Sequence, residues 1–372
     1  MNNFLSVVWY RVLPPHYGGQ KGIAHFNDHL GKKVSLTCLC SRNNIVDEPL
    51  SYKVLNGLPR SKLQFWNPLI RKRILSLIRE QRFTHVLIEH PWHGWLGKYK
   101  RKYGFKFIVH AHNIEHLRIK GINKLSSGLL KRTEEKAFIF ADHILFKTEN
   151  DKKTAVSLFR ISPENCLIVP YGVREKEQFV ADTEIKDQLR EKYNIAPEEK
   201  LILFAGTLDY GPNARALETI IHHIIPLLQQ KQFRFRLLIC GALPGKRMSA
   251  LNAIQSVSAV GFVSAIGNYM QAADVFINPV LTGSGIQTKN IEAIANGCNV
   301  VATAFASTGL PAYLDQKKLF VSANHDWVSF ADNIIMAGSL THITPQQFYV
   351  DYYWQNIIDR MLPEIVSVKP ES

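Results

Sequence analysis

The chain has 372 residues, 46% of them hydrophobic and 20% charged, the composition of a soluble globular protein with more than one domain. No apolar run reaches the roughly 18 residues of a membrane span, and the opening "MNNFLSVVWYRVLPP" lacks the basic region, apolar core and cleavage site of a secretory signal. The formal net charge of +14 is lopsided, with 29 lysines and arginines against 13 acidic residues over 1–175 and 16 against 18 over 176–372, which points to an anionic partner: nucleic acid, an acidic polymer or anionic lipid.

Apolar β-rich runs alternate with longer amphipathic stretches along the chain. In the first half the expected strands are "FLSVVWYRV", "VSLTCLC", "HVLIEH", "FKFIVHAH", "HILFKT" and "CLIVPYG". In the second they are "KLILFAG", "FRLLICG", "SAVGFV", "VFINPV", "NVVAT" and "LFVSA". Near-continuous apolar strands alternating with helices predict parallel sheets covered on both faces. The pattern occurs twice, so the expected fold is α/β with two doubly wound, Rossmann-like domains. They are read as 1–173 and 201–343, joined by a polar linker over 174–200. An aromatic-rich helix near the C-terminus, within 344–372, is expected to pack back on the first domain. The five cysteines are odd in number and form no C-x-x-C, so buried free thiols are expected rather than a zinc site.

In open parallel sheets ligands bind beyond the C-terminal strand ends, and the candidate residues are sought there. After the first strand, "PPHYGGQKG" places Gly18 and Gly19 where backbone N–H groups approach a phosphate or hydroxyl. It matches neither a dinucleotide fingerprint nor a P-loop, and a glycine turn closing the corner is the other reading. "EHPWHGW" over 89–95 suits either a sugar face or a domain-interface plug. In "IVHAHNIEHLR", His110 and His112 share a face if the strand continues. They admit a sugar-hydroxyl contact, a metal pair without an evident third ligand, or histidines satisfied by local backbone; Asn113 and Glu115 follow. In the second half, Gly206 opens a turn before a helix that starts with Pro-Asn. Gly261 and Phe262, in "VGFV", offer an exposed backbone to the edge of a base. "GSGIQTKNIEAIANG" begins with Gly283, Ser284 and Gly285 and leads into a helix expected over 288–296, ended by Gly297. Lys289 and Glu292 lie on one face near its start. They read either as an ordinary surface pair or as a diphosphate and ribose contact at a helix mouth.

"LFAGTLDYGPNARALETI", "VGFVSAIGNYMQAADVFINPV" and "GSGIQTKNIEAIANGCNVVATAFASTGLP" resemble, in order and spacing, the donor domain of the group 1, or family 4, retaining glycosyltransferases of the GT-B fold. "LPPHYGGQKG", "HAHNIEHLR" and "IVPYGV" are similar to that family's N-terminal motifs. The resemblance implies two domains facing across a cleft and a nucleotide diphosphate sugar as co-substrate. It implies that Lys289 meets the diphosphate, Glu292 the ribose, His112 the transferred sugar and Gly19 the phosphates. Gly206, Gly261, Phe262, Ser284 and Gly285 would complete the donor site, and Gly18, His110 and Asn113 the acceptor or phosphate side.

Two features depart from the family pattern. The first glutamate of E-x7-E falls on Ser284, and the basic pair after the first donor-domain strand is absent, with Arg215 the displaced replacement. No D-x-D occurs, so no metal and no other cofactor is expected, and front-face attack is the simplest retaining mechanism. The expected acceptor is lipid-linked or a growing polysaccharide. Free cysteines without a secretory signal predict a cytoplasmic protein. The cationic helix "LIRKRILSLIREQRF", with its apolar stripe, reads either as a peripheral anchor on an anionic membrane surface or as a solvated face that keeps the domain soluble. Nucleic acid is not expected, for want of a recognition motif. Two rivals remain: a sugar-nucleotide epimerase on the same fold, and a non-catalytic GT-B scaffold.

Overall fold

The computed structural model describes residues 2–120, 124–177, 183–283 and 285–367. It divides into two compact units, one of Met1–Arg174 with Trp354–Ser372, the other of Glu175–Tyr353. The helix Thr183–Lys192, inside the stretch read as linker, lies in the second unit.

The first unit is built on seven parallel strands: β1 (Asn3–Val8), β2 (Ser35–Ser41), β3 (Lys53–Leu58), β4 (His85–Glu89), β5 (Lys106–Ala111), β6 (His143–Phe146) and β7 (Cys166–Ile168), in the order β3-β2-β1-β4-β5-β6-β7. The chain runs outward one way from β1, then returns to lay β4 on its other side, so the strand order reverses between β1 and β4. Side chains alternate across this sheet with period two. Val86, Ile88, Phe107, Val109 and Ile144 face a core closed by Ile74, Phe138 and Phe159. Phe4, Leu87, Ile108 and Leu145 face the other, closed by Ile23, Phe26 and Trp354.

The second unit holds β8 (Lys200–Ala205), β9 (Phe235–Cys240), β10 (Val257–Gly261), β11 (Val275–Asn278), β12 (Asn299–Thr303) and β13 (Leu319–Ser322), in the order β10-β9-β8-β11-β12-β13. All pairings are parallel, and the order reverses between β8 and β11. Each unit therefore has a switch point, the place at the strand ends where open parallel sheets bind ligands.

Three sequence expectations change. Strand β3 has no counterpart among the expected strands, because Lys53 and Asn56 interrupt its apolar pattern and it sits at the sheet edge, exposed in part. The aromatic tail forms two helices, Gln346–Tyr352 and Trp354–Val366, because Tyr353 takes an extended backbone (φ −65°, ψ 125°) between them. The apolar stripe of the helix Pro68–Gln81 is turned to the core: Ile74 and Ile78 are buried, and Ile70, Leu75 and Leu77 pack partly buried against the same core, while Leu69 at the helix start stays exposed. All five cysteines are buried free thiols.

Trp354 locks the C-terminal helix onto the first unit. Its ring lies against Phe26 and Tyr171, and its amide donates to the Val173 carbonyl at 3.0 Å. A Cβ on Gly172 would come within 2.4 Å of that ring, which is fully buried and has nowhere to move. Gly172→Ala is therefore expected to destabilise the protein by about 1–3 kcal/mol through overpacking, read from the midpoint of urea unfolding.

Candidate functional site

In the second unit the candidate residues gather at the switch point. The helix Thr288–Ala295 follows β11, and its start is clamped by buried amides: Asn278 Nδ2 donates to Asn290 Oδ1 at 2.8 Å, and Asn290 Nδ2 donates to the Ala306 carbonyl at 2.8 Å. Gly283 (φ 147°) and Gly285 (φ 68°) take backbone conformations that favour glycine, so the turn enters the helix from a fixed direction. Lys289 is thereby aimed at the end of β8. Its ammonium donates to Asn213 Oδ1 at 2.9 Å, reaches the Ala205 carbonyl at 3.5 Å and lies 5.2 Å from the centre of the Phe204 ring. Burial lowers its pKa to about 7. Asn213 is fixed in turn by Nδ2 donating to the Thr207 carbonyl at 2.9 Å. A Cβ on Gly206 would meet Asn213 Nδ2 at 2.8 Å, so a larger residue there would displace the side chain that holds Lys289. Arg215, exposed on the helix Gly211–Thr219, donates to Thr282 Oγ1 at 2.6 Å and ties that helix to the glycine turn. Glu292 lies half-buried one turn beyond Lys289.

In the first unit a row of polar side chains crosses the C-terminal ends of three adjacent strands. Glu89 ends β4 and pairs in register with His110 on β5; Lys147 follows β6. All three share the face of Leu87, Ile108 and Leu145, as the period of two requires. The Glu89 carboxylate accepts from His110 Nδ1 at 3.0 Å and from His112 Nε2 at 2.6 Å. Lys147 Nζ lies 2.7 Å from His110 Nε2 and 5.7 Å from the centre of the Trp354 ring. Burial alone would raise the Glu89 pKa, but the neighbouring imidazoles and their hydrogen bonds outweigh it and hold the carboxyl far below its usual range. Burial lowers His110 to about 4 and His112 well below the ordinary imidazole value; it lowers Lys147 to about 7 against the pull of Glu89. At neutral pH an ionised Glu89 thus sits between two neutral imidazoles.

The tautomers follow. A carboxylate only accepts, so His110 carries its proton on Nδ1 and His112 on Nε2. His110 Nε2 is then the acceptor for Lys147, and His112 is left with Nδ1 as a hydrogen-bond acceptor. Glu89, His110 and His112 also offer three ligand atoms within 4.8 Å of one another, which among the described residues is the arrangement closest to a metal site. In the structure these three groups are joined to one another by hydrogen bonds, the Glu89 carboxylate accepting from both rings.

A second carboxylate holds the neighbouring ring. Glu115 accepts from His90 Nδ1 at 3.0 Å, from Arg118 at 2.7 Å and from Asn113 Nδ2 at 3.3 Å. Tyr10, just past the end of β1, lies 3.3 Å from His90 Nε2. The His90 and His112 rings stack at 4.5 Å. Glu134 accepts from the amides of Glu115 and His116 and caps the helix Glu115–Lys120 from outside; burial raises its pKa to about 7. Gly18 and Gly19 open the helix Gly18–Gly31. Gly19 is exposed, and a Cβ there would meet only Tyr17, at 3.6 Å, so internal packing does not demand a glycine at that position.

Residues 199–337 match the family described as "Glycosyl transferases group 1", and residues 18–177 match "Glycosyltransferase Family 4". The chain belongs to the group 1, family 4 glycosyltransferases. Its GT-B fold is shared with sucrose-phosphate synthase from Thermosynechococcus elongatus (TM-score 0.74, 15% identity, 97% of each chain). It is shared as well with WaaG, a glycosyltransferase involved in lipopolysaccharide biosynthesis (TM-score 0.73, 14% identity, 98% of this chain and 100% of that one). Anabaena HepE, solved with UDP and glucose, is a third neighbour (TM-score 0.71, 12% identity, 98% and 100%). In sequence, an uncharacterised 44.6 kDa protein in the cps region of Klebsiella pneumoniae is 24% identical over 277 residues, covering 71% of this chain and 68% of that protein.

The glycosyltransferase brings Gly206, Lys289, Glu292 and the glycine turn with Gly285 to one switch point, and His110, His112 and Asn113 to the other. Ser284 lies outside the described residues. Gly261 ends the edge strand β10, its carbonyl accepting from the Gly241 amide at 2.7 Å, and Phe262 stands exposed beyond it. No hydrogen bond or ring contact among the described residues ties either of them to Lys289. Sequence reasoning missed Asn213 as the partner of Lys289, and Glu89 and Lys147 as the supports of the histidines.

Proposed function

We propose that this glycosyltransferase moves a sugar from a nucleoside diphosphate sugar to a lipid-linked or polysaccharide acceptor, with retention at the anomeric carbon and without a metal ion. The observation that carries this reading is the Lys289 amine, held at the end of β8 by Asn213 and the Ala205 carbonyl. A cation at a switch point beside helix starts suits a diphosphate. Lys289, with Arg215 beside the glycine turn, offsets the charge that grows on the leaving phosphate. Glu292 accepts from the ribose hydroxyls. His112 presents Nδ1 to a hydroxyl of the transferred sugar, while Glu89 holds the ring. As the bond from C1 to the phosphate oxygen breaks, the acceptor oxygen bonds to C1 on the same face, and its proton passes to that phosphate oxygen.

Thermal shift with nucleoside diphosphates and their sugars tests the donor site. UDP and UDP-glucose, bound by the Anabaena neighbour, are the first to try. The right ligand at 100 times its dissociation constant is expected to add about 2.7 kcal/mol of stability. Turnover should persist in excess chelator, and the product should keep the anomeric configuration of the donor. Isomerisation of the donor without an acceptor would identify an epimerase, and binding without turnover a scaffold.

A further inference from the structure

We infer that Leu63, Trp66 and Leu69 form a docking tip that seats the protein on a bilayer of anionic phospholipid. The inference rests on the lipid-linked acceptor proposed above for its purpose, but it is tested by binding alone, so either can fail without the other.

Three large apolar side chains stand exposed within seven residues: Leu63 at 73%, Trp66 at 59% and Leu69 at 75%. They are held outward by their neighbours. In the turn Lys62–Phe65, Gln64 points inward and donates to the Trp9 and Pro59 carbonyls at 3.2 and 2.8 Å, while Phe65 stacks on Trp92 at 5.3 Å. Ser61 caps the turn at the Leu63 amide, and Asn67 caps the helix Pro68–Gln81 at the Leu69 amide. With Gln64 and Phe65 fixed inside, Leu63 is turned to solvent, Trp66 meets the Phe65 ring edge-on at 6.0 Å and leaves most of its surface exposed, and Leu69 projects from the first helical turn. The tip is distinct from the helix stripe, which packs on the core.

The charge around the tip is of one sign. Arg60, Lys62, Lys72 and Arg73 are exposed beside it, and the sequence holds no aspartate or glutamate between Glu48 and Glu80. None of these four cations forms an ion pair among the described residues. Leucine and tryptophan that insert, ringed by cations that stay at headgroup level, match an anionic bilayer surface. A purely polar acidic polymer would account for the cations but not for exposed leucines on either side of a tryptophan.

The test is sedimentation of the full chain with vesicles of phosphatidylcholine, and of phosphatidylcholine carrying phosphatidylglycerol, at low and high salt. Binding to the anionic vesicles should exceed binding to the neutral ones by at least about tenfold and weaken with salt. The triple variant Leu63→Ser, Trp66→Ser, Leu69→Ser should lose at least about tenfold in partitioning, with its melting temperature unchanged. A single variant guards against misfolding: lipid with brominated chains should quench the fluorescence of the parent, and Trp66→Phe should lose most of that quenching. Anionic-vesicle binding that survives the triple variant, or brominated quenching that survives Trp66→Phe, overturns the docking tip. So does binding to soluble polyaspartate with none to vesicles, which would assign the surface to an acidic macromolecule.

Discussion

Replacing Lys289 with alanine is expected to weaken a nucleoside diphosphate by about one to two decades while leaving the bare nucleoside nearly unchanged. The amine is held by Asn213 and the Ala205 carbonyl, in a pocket whose burial lowers its pKa to about 7. A hydrogen bond to a charged group is worth about 1.5–3 kcal/mol, which converts to that range of affinity. Glu292→Ala should instead weaken nucleoside and nucleotide alike if it holds the ribose as proposed. Calorimetry on both variants with both ligands separates the two roles, and unchanged affinity throughout would move the donor site elsewhere.

The same amine gives binding a pH dependence of definite sign. In the unliganded protein Lys289 loses its proton as pH rises through about 7. The diphosphate favours the charged form and raises that pKa in the complex. Between the two values binding takes up a proton, so affinity falls as pH rises, by up to about tenfold per unit. A nucleoside diphosphate sugar is the clean probe, since its phosphates do not titrate near neutrality. Calorimetry at pH 8 in buffers of different ionisation heat should show proton uptake in the parent and none in Lys289→Ala. Equal affinity at pH 6.5 and 8.5 would mean that the amine does not meet the diphosphate.

The fold was largely legible because parallel strands buried on both faces are written as apolar runs. Twelve such runs correspond to strands, and β3 escaped because an edge strand need not be apolar. The tail helix was read as one because nothing in "YVDYYWQN" marks a break: no glycine or proline stands at Tyr353. At the sites, what is local in sequence was readable. Glycines before the helix Thr288–Ala295 and a lysine in its first turn announce an anion. What depends on distant chain was not. Asn213 reaches Lys289 across 76 residues, and no pattern in either segment names the other. Glu89 was half visible. Aligning the runs "HVLIEH" and "FKFIVHAH" as adjacent parallel strands places a carboxylate beside His110, as the register Glu89↔His110 does. A charged residue closing an apolar run was the signal, and it needed strand adjacency to be read.

That carboxylate carries the second large prediction. His112→Ala should lower kcat by about one to two decades while nucleoside diphosphate affinity stays within about twofold, because His112 lies in the first unit and Lys289, the proposed diphosphate contact, in the second. Glu89→Gln should reproduce much of that loss although it touches no substrate. The ionised carboxylate can only accept, which fixes the proton of His112 on Nε2 and leaves Nδ1 to receive a hydroxyl. A glutamine can donate at the same place, and then Nδ1 carries the proton and the acceptor is gone. A purely structural role for Glu89 is separated by its effect on Lys147. Glu89 supports the charge of that buried amine, whose pKa burial has lowered to about 7. Without the carboxylate the pKa falls further, so near pH 6 the parent keeps an ammonium the variant gives up. The stability deficit of Glu89→Gln should therefore be larger at pH 6 than at pH 8.5, where the amine is mostly neutral in both. Turnover at pH 8.5, with the fold nearly as stable as the parent, isolates the tautomer. If kcat recovers there, Glu89 only holds the fold; if it stays low while Glu89→Asp restores a part of it, the carboxylate sets the proton on His112.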